Sequence, residues 1–145
     1  MIIVLCIIAL LYGKRTGEIS AKLLVDSGIF WTLAGHSERR QGFGFPGETN
    51  EVVGKKAKVA LDNGMSVIVC IGEKIEDREN DRTMAICSSQ LLALKTELTH
   101  SDWTRVVIAY EPVWAIGTGK IYCCTFSAYF SVMNYNDDID EFFDV

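Results

Sequence analysis

The chain has 145 residues, 49% of them hydrophobic, which suits one ordinary domain with a sizeable core. Its formal net charge of -5 argues against a nucleic-acid partner, because proteins that bind nucleic acids are usually basic. The five cysteines are odd in number and include no Cys-x-x-Cys pair, so we expect reduced thiols rather than a disulfide framework or a zinc site.

The first twelve residues, MIIVLCIIALLY, are almost wholly apolar. They are too few to cross a bilayer as a helix, which takes about 20 residues. A signal peptide carries its basic residues before the apolar run, whereas Lys14 and Arg15 follow it. We favour a buried strand; a targeting segment and a spurious sequence are the alternatives.

Apolar, β-branched runs predict strands, and helical patterns lie between them. The predicted strands span residues 2–11, 29–34, 66–71 and 104–110. The predicted helices span residues 18–27, 48–63 and 81–98, with apolar faces that include Val52, Val53, Leu61, Leu91, Leu92, Leu94 and Leu98. Strands that alternate with helices predict an α/β fold with a parallel sheet and right-handed crossovers.

A histidine follows the second predicted strand. Residues 31–40 read WTLAGHSERR, so an apolar run leads through Gly35 to His36 and then to polar residues that can open a helix. A helix N-terminus disfavours a charged imidazolium, so a neutral ring at this place can donate a hydrogen bond. Taken alone, such a histidine is more often structural than catalytic.

A carboxylate stands where the last predicted strand ends. Glu111 is followed by Pro112, which fixes the direction of the chain, and then by a short loop with Trp114 at one end and Gly117 and Gly119 at the other. A bulky anchor with permissive glycines is typical of a hinged lid. A base beside a lid indicates chemistry that needs water excluded.

Four segments of the chain together resemble the triosephosphate isomerase family. They are TGEIS at 16–20, WTLAGHSERR at 31–40, VIVCIGEKIEDRE at 67–79 and AYEPVWAIGTGK at 109–120, in the order of the family. Because a complete (β/α)₈ barrel takes about 250 residues, the resemblance implies a partial (β/α)₈ TIM barrel, from the third loop through the sixth strand and its lid. We therefore predict three parts: a divergent apolar segment at 1–15, the partial barrel at 16–120, and a divergent acidic and aromatic tail at 121–145.

The resemblance also implies a function. The family interconverts D-glyceraldehyde 3-phosphate and dihydroxyacetone phosphate through an enediolate, in glycolysis and gluconeogenesis, with no cofactor and no metal. The implied partners are these triose phosphates and a second subunit, in a homodimer through the Thr16–Ser20 loop, and the implied location is the cytoplasm. Neither nucleic acid nor a membrane is expected.

The resemblance assigns roles to individual residues. Glu111 is the implied base and His36 the implied electrophile; this family is itself the standard example of a Glu base beside a neutral His. Gly117 would offer its backbone N–H to the substrate phosphate. Glu38 would lie beside His36 and support it without touching the substrate, or form a salt bridge with Arg39 or Arg40.

The chain departs from the family in several places. Residues 42–47, GFGFPG, fit G-x-G-x-x-G formally, but no strand directly precedes them and Pro46 interrupts them, so no dinucleotide site is expected. The loop has about three residues more than in the family. No residues here match the Asn and Lys of the family's first strand or its loops after strands seven and eight. The resemblance also stops abruptly at both ends, which predicts a truncated or wrongly spliced gene product.

Three functional hypotheses follow from these departures. The first is a triosephosphate isomerase, although loss of most of the phosphate site predicts little or no turnover by this chain alone. The second is a catalytically inactive fragment that acts at most as an interaction partner of a full-length subunit. The third is a different phosphate-handling barrel enzyme, which the contiguous lid sequence disfavours.

Overall fold

A computed structural model describes residues 3–4, 18–42, 46–113 and 130–131 of the chain. In these ranges the strands are β1 (Ile3–Val4), β2 (Trp31–Ala34), β3 (Ser66–Ile71), β4 (Val106–Tyr110) and β5 (Phe130–Ser131). The helices are α1 (Ala21–Asp26), α2 (Ser37–Gln41), α3 (Asn50–Asp62), α4 (Ile75–Glu79) and α5 (Thr83–Glu97), with a 3-10 helix at His100–Arg105.

The strands form one sheet in the order β1-β2-β3-β4-β5. The pairings among β1, β2, β3 and β4 are all parallel, which confirms the predicted α/β fold with a parallel sheet. β5 pairs antiparallel with β4, at the edge of the sheet. The parallel part, with helices between its strands, is a partial (β/α)₈ barrel.

Side-chain caps fix where two of the helices begin. The Ser20 hydroxyl accepts a hydrogen bond from the Leu23 N–H at 3.2 Å, so α1 begins at Ala21 and not at Glu18 as the sequence pattern predicted. The Thr49 hydroxyl does the same for the Val52 N–H at 3.4 Å. Gly64 closes the turn after α3 with a φ of +84°, a conformation that suits glycine.

The core lies between the sheet and the helices α3 and α5. Its apolar side chains that are almost completely buried include Leu61, Met65, Val67, Ile71, Leu91, Leu94 and Ile108. The predicted apolar face of α5 was wrong at Leu92, which is 58% exposed, because the helix turns that position away from the sheet. None of the described helices is long and apolar enough to cross a membrane.

Neighbouring leucines on α5 provide a test of this packing. Leu91→Ala is expected to lower the free energy of unfolding by about 2–5 kcal/mol, because it opens a cavity in the core. Leu92→Ala, on the exposed side, should change it by less than about 0.5 kcal/mol. Urea unfolding followed by circular dichroism measures both, and equal losses would contradict the placement of α5.

Candidate active site

His36 and Glu111 meet at the carboxyl edge of the parallel strands. His36 comes two residues after β2, and Glu111 comes directly after β4. The imidazole Nε2 lies 3.3 Å from the Glu111 carboxylate oxygen Oε1. The side chains are 19% and 31% exposed, so both are partly sheltered while still open to a small molecule.

The His36 ring is held by the helix that it precedes. His36 is the N-cap of α2, and its Nδ1 accepts a hydrogen bond from the Glu38 backbone N–H at 3.4 Å. Since Nδ1 is the acceptor, a neutral ring carries its proton on Nε2, the nitrogen that faces Glu111. His36 can therefore donate a hydrogen bond towards the position where Glu111 lies.

The main chain around Glu111 is bonded to the loop that follows β3. The Glu111 N–H donates to the Ile71 carbonyl at 2.7 Å, and the Val113 N–H donates to the Glu73 carbonyl at 3.1 Å. Between these bonds, a side chain at Gly72 would collide with the Glu111 carbonyl. Only glycine permits this approach of two backbones, so Gly72 is a requirement of the site.

Only one oxygen of the Glu111 carboxylate has a partner among the described residues. Oε1 faces His36, whereas Oε2 is buried and accepts no hydrogen bond from the part of the chain that the structure describes. A buried polar atom without a partner is rare in folded proteins and is a feature that calls for a functional explanation. The described residues therefore leave the lone pairs of Oε2 without a donor.

A buried acid follows β3, next to the site. The Tyr110 hydroxyl donates to both oxygens of the Glu73 carboxylate, at 3.1 and 3.0 Å, and Arg78 lies 3.3 Å from one of them. Burial, followed by the charge of Glu73, raises the pKa of Tyr110 well above its ordinary value, so its hydroxyl keeps its proton. Glu73 was not among the predicted site residues, although its place directly after the strand-end glycine in the IGE segment indicated a carboxylate near the site.

Arg40 ties the ends of β2 and β3 together. Its guanidinium donates to the Gly35 carbonyl at 2.7 Å and to the Cys70 carbonyl at 3.1 Å. A third bond, of 2.7 Å, reaches the Asn50 side chain at the start of α3. The planar fork of arginine suits such multiple contacts, and here it fixes the strand ends that precede the site.

Arg39 belongs to a buried ion cluster with Glu18, Glu48 and Lys56. Glu18 Oε1 accepts from Arg39 and from Lys56, both at 2.9 Å, and Glu48 Oε1 accepts from the same two side chains, both at 2.8 Å. The cluster joins the segment before α1 to α2 and α3. Its Arg39 comes three residues after His36 in the sequence. It also explains why Arg39 forms no salt bridge with Glu38.

The structure places the other predicted site residues as follows. The Glu38 side chain is exposed and has no hydrogen bond or ion pair within the described ranges, so only its backbone N–H contacts His36. Gly117 and the rest of the lid at 114–120 lie outside the described residues, as do Thr16 and Gly17. Among residues 18–42 and 46–113, no three His, Cys, Asp or Glu side chains converge as a metal site requires.

Comparison with known proteins gives one consistent family. The model of the triosephosphate isomerase family matches residues 9–125. Over 109 residues the chain is 55% identical to triosephosphate isomerase of Coprinopsis cinerea and 54% identical to that of Aspergillus oryzae. It is 53% identical to the glycosomal triosephosphate isomerase of Trypanosoma cruzi. Each alignment covers 75% of the chain but only 42% of the relative, so the chain spans less than half the length of these curated relatives.

The ion cluster provides a stability test with a neighbouring control. Lys56→Met removes a buried cation that both Glu18 and Glu48 contact, and is expected to lower the free energy of unfolding by about 3 kcal/mol. Lys55→Met, on the exposed side of α3, should change it by less than about 0.5 kcal/mol. Thermal or urea unfolding measures both, and a Lys56→Met protein as stable as the parent would contradict the cluster.

Proposed function

The chain belongs to the triosephosphate isomerase family, and from this membership we propose that it carries the proton-transfer groups for interconverting D-glyceraldehyde 3-phosphate and dihydroxyacetone phosphate. The observation that carries the proposal is the approach of His36 Nε2 to Glu111 Oε1 at 3.3 Å. The groups come from separate strand ends, 75 positions apart in the sequence. Two such groups at one edge of the sheet can act together, one as a base and the other as an electrophile.

In the proposed reaction, Glu111 is the base. Its carboxylate takes the proton from the carbon next to the substrate carbonyl, and the electron pair of the broken C–H bond forms a C=C bond. The carbonyl oxygen then becomes the negatively charged oxygen of an enediolate. After a proton has moved between the two oxygens, Glu111 returns its proton to the neighbouring carbon, which completes the exchange of aldehyde and ketone.

His36 stabilises the charge that this step creates. A substrate carbonyl at Nε2 receives the hydrogen bond that now points at Glu111, and the bond strengthens as the oxygen becomes anionic. The Nδ1 contact with the Glu38 N–H supports this role, because it leaves the proton on Nε2. The Glu38 contribution is thus proposed to come from its backbone rather than from its carboxylate.

The lid is proposed to complete the site. We propose that the Gly117 N–H binds the substrate phosphate when the loop closes, since a glycine lets the backbone approach an anion closely. Closure also excludes water, which strengthens the interactions of Glu111 and His36 with the reacting atoms. Val113, whose N–H is anchored to the Glu73 carbonyl, is the last described residue before this segment.

Isomerase activity of the chain, followed in a coupled assay, tests the proposal. Glu111→Gln is expected to lower turnover by about 10²–10⁴-fold, because it removes the base. Glu79→Gln, a change at an exposed position of α4, should leave turnover unaltered. The turnover of the parent is expected to be small, because most of the phosphate site has no match in this chain, but measurable. A parent chain without turnover would contradict the proposal for this chain by itself, and a Glu111→Gln protein as active as the parent would contradict the role of Glu111.

We further propose a homodimer in which the Thr16–Ser20 loop contacts the partner. Two bonds of 2.9 Å, from Arg39 and Lys56, hold Glu18 Oε1, so this end of the loop is rigid.

Sedimentation equilibrium tests the dimer. A mass near twice the chain's 16.2 kDa is expected at micromolar concentration, falling towards the monomer on dilution. A monomer at every concentration would contradict the proposal.

A cytoplasmic location is proposed as well. Both described cysteines, Cys70 and Cys87, are buried, and the Cys87 thiol is free, as in a reducing compartment. Burial, with the charge of Glu73, raises the pKa of the Cys87 thiol to about 12, which makes it unreactive. A relative from Oryza sativa is described as cytosolic, whereas those from Trypanosoma cruzi and Secale cereale are glycosomal and chloroplastic.

A further inference from the structure

A buried carboxamide on α5 holds the loop that follows β3. Gln90 is 7% exposed, and its side chain makes two hydrogen bonds with one residue, Gly72. The Gly72 N–H donates to Gln90 Oε1 at 2.9 Å, and Gln90 Nε2 donates to the Gly72 carbonyl at 3.0 Å. Both backbone polar groups of Gly72 are thereby satisfied inside the protein, and the position of Gly72 is fixed relative to α5.

Gly72 is also the residue that contacts the main chain of Glu111. A Cβ at Gly72 would collide with the Glu111 carbonyl, so the two backbones touch at this point. The neighbours of Gly72 bond on either side of this contact, Ile71 to the Glu111 N–H at 2.7 Å and Glu73 to the Val113 N–H at 3.1 Å. A displacement of Gly72 would therefore move Glu111.

We propose that Gln90 is a positioning residue for the base Glu111, acting from α5 through Gly72. The inference rests on the proposed isomerase function, for which Glu111 must sit at a set distance from the reacting carbon. A displacement of about 1 Å at such a group lowers a rate by about 100-fold. Gln90 is not a catalytic residue, because its two bonds end on Gly72.

The alternative is that Gln90 only attaches a helix to a loop and contributes to stability. The two roles differ in where a substitution acts. Loss of a purely stabilising contact speeds amide exchange throughout the cooperative unit, whereas loss of a positioning contact acts on Glu111 and Val113 beyond that common change. The Ile108 amide within β4 reports the common change.

Hydrogen exchange of the full chain, read by NMR at single amides, tests the proposal. Gln90→Met keeps the length of the side chain and removes both hydrogen bonds. Exchange at Glu111 and Val113 is expected to accelerate at least about tenfold more than at Ile108. Leu94→Ala, a core change one turn further along α5, should accelerate all three amides equally. Equal acceleration of the three amides in Gln90→Met would overturn the proposal.

A gentler variant protects the test against a protein that fails to fold. Gln90→Asn keeps a neutral carboxamide but withdraws it from Gly72 by one methylene group, and is expected to give the same selective acceleration with a smaller magnitude. If Gln90→Met does not fold, Gln90→Asn decides alone. Selective acceleration at Glu111 and Val113 supports the positioning role, and uniform acceleration overturns it.

Steady-state kinetics provide a second measurement, because a purely stabilising role of Gln90 would leave the kcat of the folded protein unchanged. In folded Gln90→Met, kcat is expected to fall about 10–100-fold with KM within about twofold of the parent, because the base is misplaced while binding groups are kept. An unchanged kcat would overturn the proposal. A parent without turnover would count against the proposed function only, since the exchange measurement still decides the role of Gln90.

Discussion

The parallel pairing of β2, β3 and β4 is the constraint on which the rest of the structure depends. Strands that run in one direction release the chain at one edge of the sheet, so segments far apart in the sequence emerge side by side. The pairing of Ile71 with Tyr110 brings the loop after β3 against Glu111. His36 reaches the same place from the end of β2, and a contact of 3.3 Å results.

Around this edge the polar groups fall into two kinds. Those that shape the backbone are fully engaged: Arg40 bonds to the carbonyls of Gly35 and Cys70, and Gln90 bonds to Gly72 on both sides. The group that would perform chemistry is not, because Glu111 Oε2 lacks a hydrogen bond to any described residue. A fixed frame around a carboxylate oxygen without a partner is consistent with the proton transfer proposed for Glu111.

Local patterns in the sequence predicted a good part of this fold. Residues 66–71 form the predicted strand, and α3 begins and ends within two residues of its prediction, since a Thr cap and a closing glycine are local signals. The exposure of Leu92 was not predictable in this way, because all leucines of α5 are equally apolar. Only the packing against the sheet decides which of them is buried.

The resemblance to the family supplied the proposed site residues, but not how they are held. That His36 and Glu111 share one edge followed from their places at strand ends. Gln90 bonds to Gly72 and Glu73 bonds to Tyr110, contacts that span 18 and 37 positions of the chain, and no local periodicity records such contacts. The Glu38 carboxylate was expected near His36, yet the capping geometry uses its backbone instead.

Nitrogen-15 NMR of the histidine rings tests most directly whether His36 and Glu111 meet. The neutral His36 ring is expected to carry its proton on Nε2, and Glu111→Gln is expected to shift the His36 ring signals while those of His100 stay unchanged. A His36 ring that is protonated on Nδ1, or that does not respond to the loss of the Glu111 carboxylate, would contradict the contact between the two side chains.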